Sequence, residues 1–343
     1  MKRTLILFLL AALTSSCTHQ VREATATDGK ELPWLKVEGN RIVDPQGKTV
    51  ILKGLCICNP PELRRVGRWN AEYFAVMASW GAKIVRIPIG PIDYRRGGAE
   101  ATFRTLDEAV GWSREHGLYV IIDWHSIGDP VKGKFQEPWA VYMKTDEKEM
   151  TEFWTAAAKR YREEPTVAFY EIFNEPAGLE YTGNRLEWAE WKPMAERLVK
   201  VIRRANPRAI AIVGGVRWSY NLKDVGADPI DDKNTVYAVH VYPSHAPQPW
   251  EENWERSFGY LAAKHPLMLT EFGYDPDDKI MPGTYRGDDD FGRRITDFAA
   301  KKGMSWTAFV FCDLPGWPMP LFKGWDAYAP TTSGAFFKGR LKE

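Results

Sequence analysis

Two carboxylates in this chain stand at the ends of apolar runs in company suited to chemistry. Glu175 lies within Asn174-Glu175-Pro176, and Glu271 within Thr270-Glu271-Phe272-Gly273. Such a pair suits glycoside hydrolysis, in which one carboxyl protonates the leaving oxygen. The other attacks the anomeric carbon or activates a water. A lone glutamate at a strand end usually serves as a salt-bridge partner, but two with amide, imidazole and aromatic neighbours are hard to explain by packing. Arg86, in Val85-Arg86-Ile87-Pro88, offers a cation that would keep one carboxylate ionised. Asp123-Trp124-His125 and His240-Val241-Tyr242 end two further runs, and Asp123 shares a strand face with His125. The last run carries Trp306, Phe309 and Cys312. His125 and His240 lack the His-x-His or His-x-x-x-His spacing of a metal site, so no metal and no cofactor are expected. Ser244 and His245 are adjacent, but no elbow motif frames them as hydrolytic nucleophile and base.

The elements that position these residues follow from hydropathy. Eight short, nearly continuous apolar runs cover 50–58, 83–89, 118–125, 167–175, 209–215, 235–242, 266–273 and 305–312. Continuous rather than alternating runs mark strands covered on both faces. Helical patterns lie between them at 71–80, 102–116, 147–163, 187–205, 251–264 and 288–302, with a last one at 331–341. Gly81, Gly117, Asn206-Pro207 and Gly303 supply stop signals. Eight β–α units predict an α/β fold closed as a (β/α)8 TIM barrel, one catalytic domain over 36–343. A doubly wound open sheet is the alternative, but no Gly-x-Gly-x-x-Gly follows the first strand. Residues 36–47 read as a small N-terminal hairpin turning at Pro45-Gln46-Gly47. In a barrel, active sites form at the C-terminal strand ends. Glu175 on strand four and Glu271 on strand seven would then face each other across the mouth.

The 343 residues carry 46 basic and 45 acidic side chains. This balance excludes a nucleic-acid binder that works through a basic field. Lys2 and Arg3 precede an apolar stretch over 5–13 that is too short to span a bilayer, followed by Thr14-Ser15-Ser16-Cys17. Residues 1–17 therefore read as a signal peptide, lipoprotein-like, with a lipid anchor at Cys17, and 18–35 as a tether. An exported protein is expected, a cell-surface or periplasm-facing lipoprotein or, with plain signal cleavage, a secreted or periplasmic one. A monomer is expected too. Fifteen tryptophans are present. Trp69, Trp139, Trp218, Trp250, Trp317 and Trp325 fall in loops and suit a sugar-binding groove. Trp80, Trp112, Trp154 and Trp188 fall in helices and read as packing.

Taken together, Asp-Trp-His at 123–125, Asn-Glu-Pro at 174–176, His-Val-Tyr at 240–242 and Thr-Glu-Phe-Gly at 270–273 resemble glycoside hydrolase family 5, the cellulase family. The resemblance implies a retaining hydrolase. Glu175 resembles its general acid/base and Glu271 its nucleophile. Asn174 resembles the group that binds the sugar 2-hydroxyl. Arg86 and Tyr242 resemble those that position and ionise the nucleophile, and His125 and His240 those that hydrogen-bond the sugar and the acid/base. The stretch from Asp123 to Trp218, with Ile-Ile-Asp-Trp-His at its entry, Tyr-Glu-Ile-Phe-Asn-Glu-Pro and a Val-Gly-Gly segment followed by Trp-Ser, is most similar to bacterial endo-β-1,4-glucanases. A β-linked polysaccharide or oligosaccharide is the implied substrate, with β-1,4-glucan favoured. Mannan, xyloglucan and mixed-linkage glucan stay open, as does a non-catalytic glycan-binding surface lipoprotein.

Two positions depart from the family pattern. The strand-eight tryptophan beneath the sugar falls on Phe309, with Trp306 three residues earlier. Either Phe309 serves as a smaller platform or Trp306 takes the role. Cys58 stands where a polar sugar-binding residue is common. Strands one and eight are neighbours in a closed barrel, so Cys58 and Cys312 are expected to form a disulfide at the mouth. Cys56 and Cys58 are expected to point the same way.

Overall fold

The computed structural model describes residues 31–137, 140–179 and 182–343. The leader, Cys17, most of the tether and Trp139 lie outside the described residues. A hairpin of β1 (Lys36–Glu38) and β2 (Arg41–Val43) comes first. Its turn is Gly39-Asn40, with Gly39 at φ 62°, rather than Pro45–Gly47. The latter makes a second turn, in which Asp44 accepts hydrogen bonds from the Gln46 and Lys48 amides and Val43 bridges Thr49. A free αL glycine outweighs proline here because Glu38 must pair Arg41 directly.

The barrel strands are β3 (Lys53–Ile57), β4 (Ile84–Ile89), β5 (Tyr119–Trp124), β7 (Val167–Glu171), β9 (Ile210–Gly214), β10 (Thr235–Val241), β11 (Leu267–Phe272) and β12 (Ser305–Phe311). All pair in parallel, and β12 closes on β3. The expected (β/α)8 barrel is therefore the observed fold. Two short strands lie just above the ring at β5 and β7. These are β6 (Ile127–Gly128) and β8 (Glu175–Pro176), which pair with each other just beyond β5 and β7. The run at 167–175 is thus not one strand: β7 stops at Glu171 and Glu175 sits on β8. A small pair, β13 (Phe322–Lys323) and β14 (Ala329–Pro330), follows β12.

Helices α1 (Pro60–Arg65), α2 (Ala71–Trp80), α3 (Pro91–Glu115), α4 (Ala140–Met143), α5 (Glu147–Arg160), α6 (Trp188–Ala205), α7 (Trp250–Ser257), α8 (Asp289–Lys302) and α9 (Thr332–Arg340) fill the connections. Side-chain caps start several of them, Asn70 for α2, Asp146 for α5 and Asp288 for α8, while Gly81 and Gly303 close α2 and α8 in the left-handed region. Among the described residues no helix is long and apolar enough to cross a membrane.

Inward-pointing residues make layers. At the lower level Ile84, Tyr119, Ile121, Phe169, Ile210, Ile212, Val236, Ala238 and Met268 form an apolar plug joined by Leu35 and Ile42 of the N-terminal segment. The Val37 amide binds Asn234 Oδ1 at 2.8 Å, which docks the hairpin at the N-terminal end of β10. Alternation by two then carries the inward face upward from Ile84 to Arg86, from Ile121 to Asp123, from Phe169 to Glu171 and from Ala238 to His240. The upper layer is polar, and it faces the mouth.

Candidate active site

Arg86, 1% exposed, is the hub of this upper layer. Its Nε lies 2.5 Å from Glu171 Oε2, its Nη1 2.6 Å from Glu271 Oε1, and its Nη2 2.7 Å from Asn174 Oδ1 and 3.0 Å from Asp123 Oδ2. A planar guanidinium can hold so many partners because its donors point outward in one fork. Asp123 Oδ2 also meets His125 Nδ1 at 2.7 Å. Tyr242 donates its hydroxyl to Glu271 Oε2 at 2.9 Å. His240, fully buried, places Nδ1 2.7 Å from Glu175 Oε1 and 3.7 Å from Glu271 Oε2. Its Nε2 lies 3.0 Å from the Thr270 hydroxyl. The structure thus brings together Arg86, His125, Asn174, Glu175, His240, Tyr242 and Glu271.

The two carboxyls sit in unlike fields. Burial alone would raise Glu271, but the charges of His240, Arg86 and His125 and the Tyr242 hydroxyl bring it down to about 2. Burial raises Glu175, the Glu271 charge adds to this, and the pull of His240 does not cancel it. Their environments thus push the two carboxyls apart, Glu271 down and Glu175 up. Glu171 is also held below the ordinary range, because Arg86 and His240 outweigh its burial. Burial would lower His240, but Glu271, Glu171 and Glu175 raise it to about 10. Asn174 Nδ2 is buried without a partner, so a ligand oxygen is what would satisfy it.

Local backbone strain helps to place these groups. Arg217, Trp218 and Ser219 all adopt left-handed φ values of 56–57°. Such residues cost roughly 1–2 kcal/mol each. The turn folds tightly onto Gly214, where an added Cβ would lie 2.2 Å from Ser219 Oγ. Ser219 Oγ donates to the Asn174 carbonyl at 2.8 Å, the Trp218 amide to Pro176, and the Ser219 carbonyl accepts from the His240 amide. The turn therefore ties the Asn174–Pro176 segment to β10.

Two expectations about aromatic residues are corrected. Trp306 points away from the site: it is 2% exposed and packs edge-on to Phe272 and beside Phe337 of α9. On β12 the inward face holds Thr307, bonded to the Thr270 carbonyl, and alternation then selects Phe309. Phe309 lies 6.1 Å from the Trp317 ring, and the Trp317 indole donates to Glu62. Of the loop tryptophans, Trp69 is buried against Phe74 and Trp112, Trp250 packs on Trp254 and Phe291, and Trp325 on Phe322 and Tyr328. Trp218, Trp250, Trp317 and Trp325 remain partly open. Trp80, Trp154 and Trp188 are buried and Trp112 is partly so, as packing requires.

The cysteine expectations also change. Cys58 and Cys312 are neighbours just past the Ile57–Phe311 rung, but both are free thiols in hydrogen-bond contact. Cys56 does not share those surroundings, since its thiol donates to the Thr270 carbonyl beside Arg86. Strand β3 ends at Ile57, so its alternation does not extend to Cys58.

Glu171 was hidden in the sequence, although it lies two residues beyond inward-facing Phe169. Tyr285 was hidden as well. It sits in the β11–α8 loop with its ring 4.9 Å from that of Tyr242. The acceptor atoms of Glu175, His240 and Glu271 fall within 4.8 Å of one another. The His240–Glu175 hydrogen bond and the 3.7 Å approach of His240 to Glu271 account for that closeness, and we read the group as proton-transfer machinery rather than a metal centre.

Residues 43–314 match the family model described as cellulase (glycosyl hydrolase family 5). An endoglucanase of Clostridium saccharobutylicum is 27% identical over 348 residues, covering 97% of this chain and 70% of that protein. Endoglucanase E-5 of Thermobifida fusca is 28% identical, covering 88% of this chain but only 60% of its own length. A β-glucanase of Saccharophagus degradans, also solved with cellotetraose, superimposes with a TM-score of 0.86 at 34% identity, covering 91% of this chain and 94% of that one. The barrel, the upper-layer residues and these likenesses agree: the chain belongs to glycosyl hydrolase family 5.

Proposed function

We propose that the chain cleaves β-1,4-glucan internally by a retaining double displacement. The observation that carries this reading is the asymmetry of one close carboxyl pair. Oxygens of Glu175 and Glu271 approach within 4.8 Å. That closeness suits the retaining geometry of about 5–5.5 Å between carboxyls and leaves too little room for the intervening water of inversion. Glu271, held by Arg86 and Tyr242, attacks the anomeric carbon while Glu175 gives its proton to the departing glycosidic oxygen. Water then attacks the same carbon, its proton passes to Glu175, and the bond to Glu271 breaks with its electron pair returning to the carboxylate. Asn174 Nδ2 has the free, buried donor that a sugar 2-hydroxyl would use. Phe309, with Trp317 beside it, supplies an apolar face for the sugar ring.

The substrate class is supported by the names of the relatives, endoglucanases and a β-glucanase solved with cellotetraose. Reducing-sugar release from carboxymethylcellulose, barley β-glucan, xyloglucan and glucomannan, beside Glu175→Gln and Glu271→Gln, tests it. Release that both substitutions abolish supports the reading and ranks the glucans. Release that survives both overturns it. We further propose export with lipid at Cys17, because the small residues before that cysteine follow a short apolar stretch. Incorporation of labelled fatty acid that Cys17→Ser does not reduce would contradict it.

A further inference from the structure

Three carboxylates, Asp123, Glu171 and Glu271, touch the single guanidinium of Arg86. One cation cannot neutralise three buried anions. His125 Nδ1 meets Asp123 at 2.7 Å, so Asp123 has a second partner. Arg86 holds Glu171 through Oε2 alone. Its Oε1 is buried without a hydrogen-bond partner and lies 3.9 Å from His240 Nε2. We propose that Glu171 is a positioning residue that holds His240 as an imidazolium, a cation that spans both catalytic carboxyls. This inference rests on the retaining reading above and deepens it.

The chemistry gives that cation a purpose. In the first step the carbon–oxygen bond to the leaving sugar breaks, the Glu175 proton goes to that oxygen, and Glu271 forms an ester. The negative charge has then moved from Glu271 to Glu175. In the second step water attacks, its proton returns to Glu175, and the ester electron pair returns to Glu271. The pair carries one negative charge throughout, and only its location changes. His240 Nδ1 stands 2.7 Å from one carboxyl and 3.7 Å from the other. A fixed positive charge between them serves both states without rearrangement.

The charged and titratable groups that face His240 are Glu171 of β7, Glu175 of β8 and Glu271 of β11. Arg86 lies behind Glu171, and His125 stands beside Asp123. His245 approaches the His240 carbonyl at 3.2 Å, and burial pushes its imidazole down to about 4, so it adds no competing charge. Thr270 accepts or donates at Nε2 and is indifferent to the protonation state. Glu171 supplies the bias.

Nitrogen-15 spectra of histidine-labelled resting protein test this directly, with the His240 signals assigned by their loss in His240→Asn. Both ring nitrogens of His240 should carry protons at pH 7. In Glu171→Gln the imidazole should titrate lower by about one pH unit or more. Glu171→Asp should restore part of that shift. A neutral His240 in the wild-type protein would overturn the inference, as would a Gln variant that loses rate while its His240 titrates as in the wild type. If the Gln variant does not fold, the wild-type spectrum alone decides. A wild-type protein that cleaves no glucan would instead sink the hydrolase reading, because the spectrum is read without turnover.

Discussion

The Tyr242 hydroxyl donates to Glu271 Oε2 at 2.9 Å, on the opposite side of the carboxylate from Arg86 Nη1. Tyr242→Phe removes that donor and nothing else. Hydrogen bonds to charged groups are worth about 1.5–3 kcal/mol, so kcat/KM should fall roughly 10- to 150-fold. The acidic limb should also move to higher pH, since Glu271 loses one of the causes that hold it at about 2. A pH–rate profile of the variant checks both.

Arg86 touches Asp123, Glu171 and Glu271 at once. Arg86→Leu strands buried charge, and removing one partner of such a pair costs about 3–5 kcal/mol. Arg86→Lys keeps the charge but cannot reach four acceptors from one plane. Urea unfolding should show the Leu variant losing most stability. Both variants should lose activity.

Stability should follow pH from both sides. Glu271 is depressed to about 2, so its contribution is full above the unfolded value near 4.5 and is lost as pH falls toward 2. His240 is raised to about 10, so its contribution is full below 6.5 and is lost as pH rises toward 10. The melting temperature should therefore peak between these windows, and His240→Asn should flatten the alkaline fall. Differential scanning calorimetry across pH reads this out.

Much of the fold was legible because barrel strands are apolar on both faces and so read as continuous runs. That same property hid the phase of alternation. Nothing in Ser305–Phe311 tells which of Trp306 and Phe309 faces inward until Thr307 is seen against Thr270. It also hid Glu171 in a run that seemed to continue through Ile172 and Phe173 to Glu175. The break after Glu171 arises because the next segment pairs with β6 above the ring. The two carboxyls proposed as catalytic were legible because polar residues at strand ends have no packing explanation.

The two aromatic residues of β12 should separate by readout. Trp306→Phe trims a buried contact with Phe272 and Phe337, lowering the melting temperature with KM unchanged. Phe309→Leu should raise KM several-fold, as expected for losing an aromatic contact worth about 0.5–1.5 kcal/mol. Melting curves and Michaelis–Menten kinetics on cello-oligosaccharides distinguish them.

Burial pushes the Cys56 thiol up to about 12 and Cys58 well above its usual value. Ellman's reagent should therefore leave Cys56, Cys58 and Cys312 unmodified in native protein and find all three after denaturation without reductant. Finding only Cys56 would mean that Cys58 and Cys312 are bonded.

The most direct test of the central claim is intact-mass measurement after incubation with 2-deoxy-2-fluoro-β-cellobiosyl fluoride, followed by peptide mapping. A single added cellobiosyl mass on the peptide that contains Glu271, absent in Glu271→Gln, is the predicted result. An adduct on Glu175, or glucan cleavage that releases product of inverted anomeric configuration with no adduct, would contradict it.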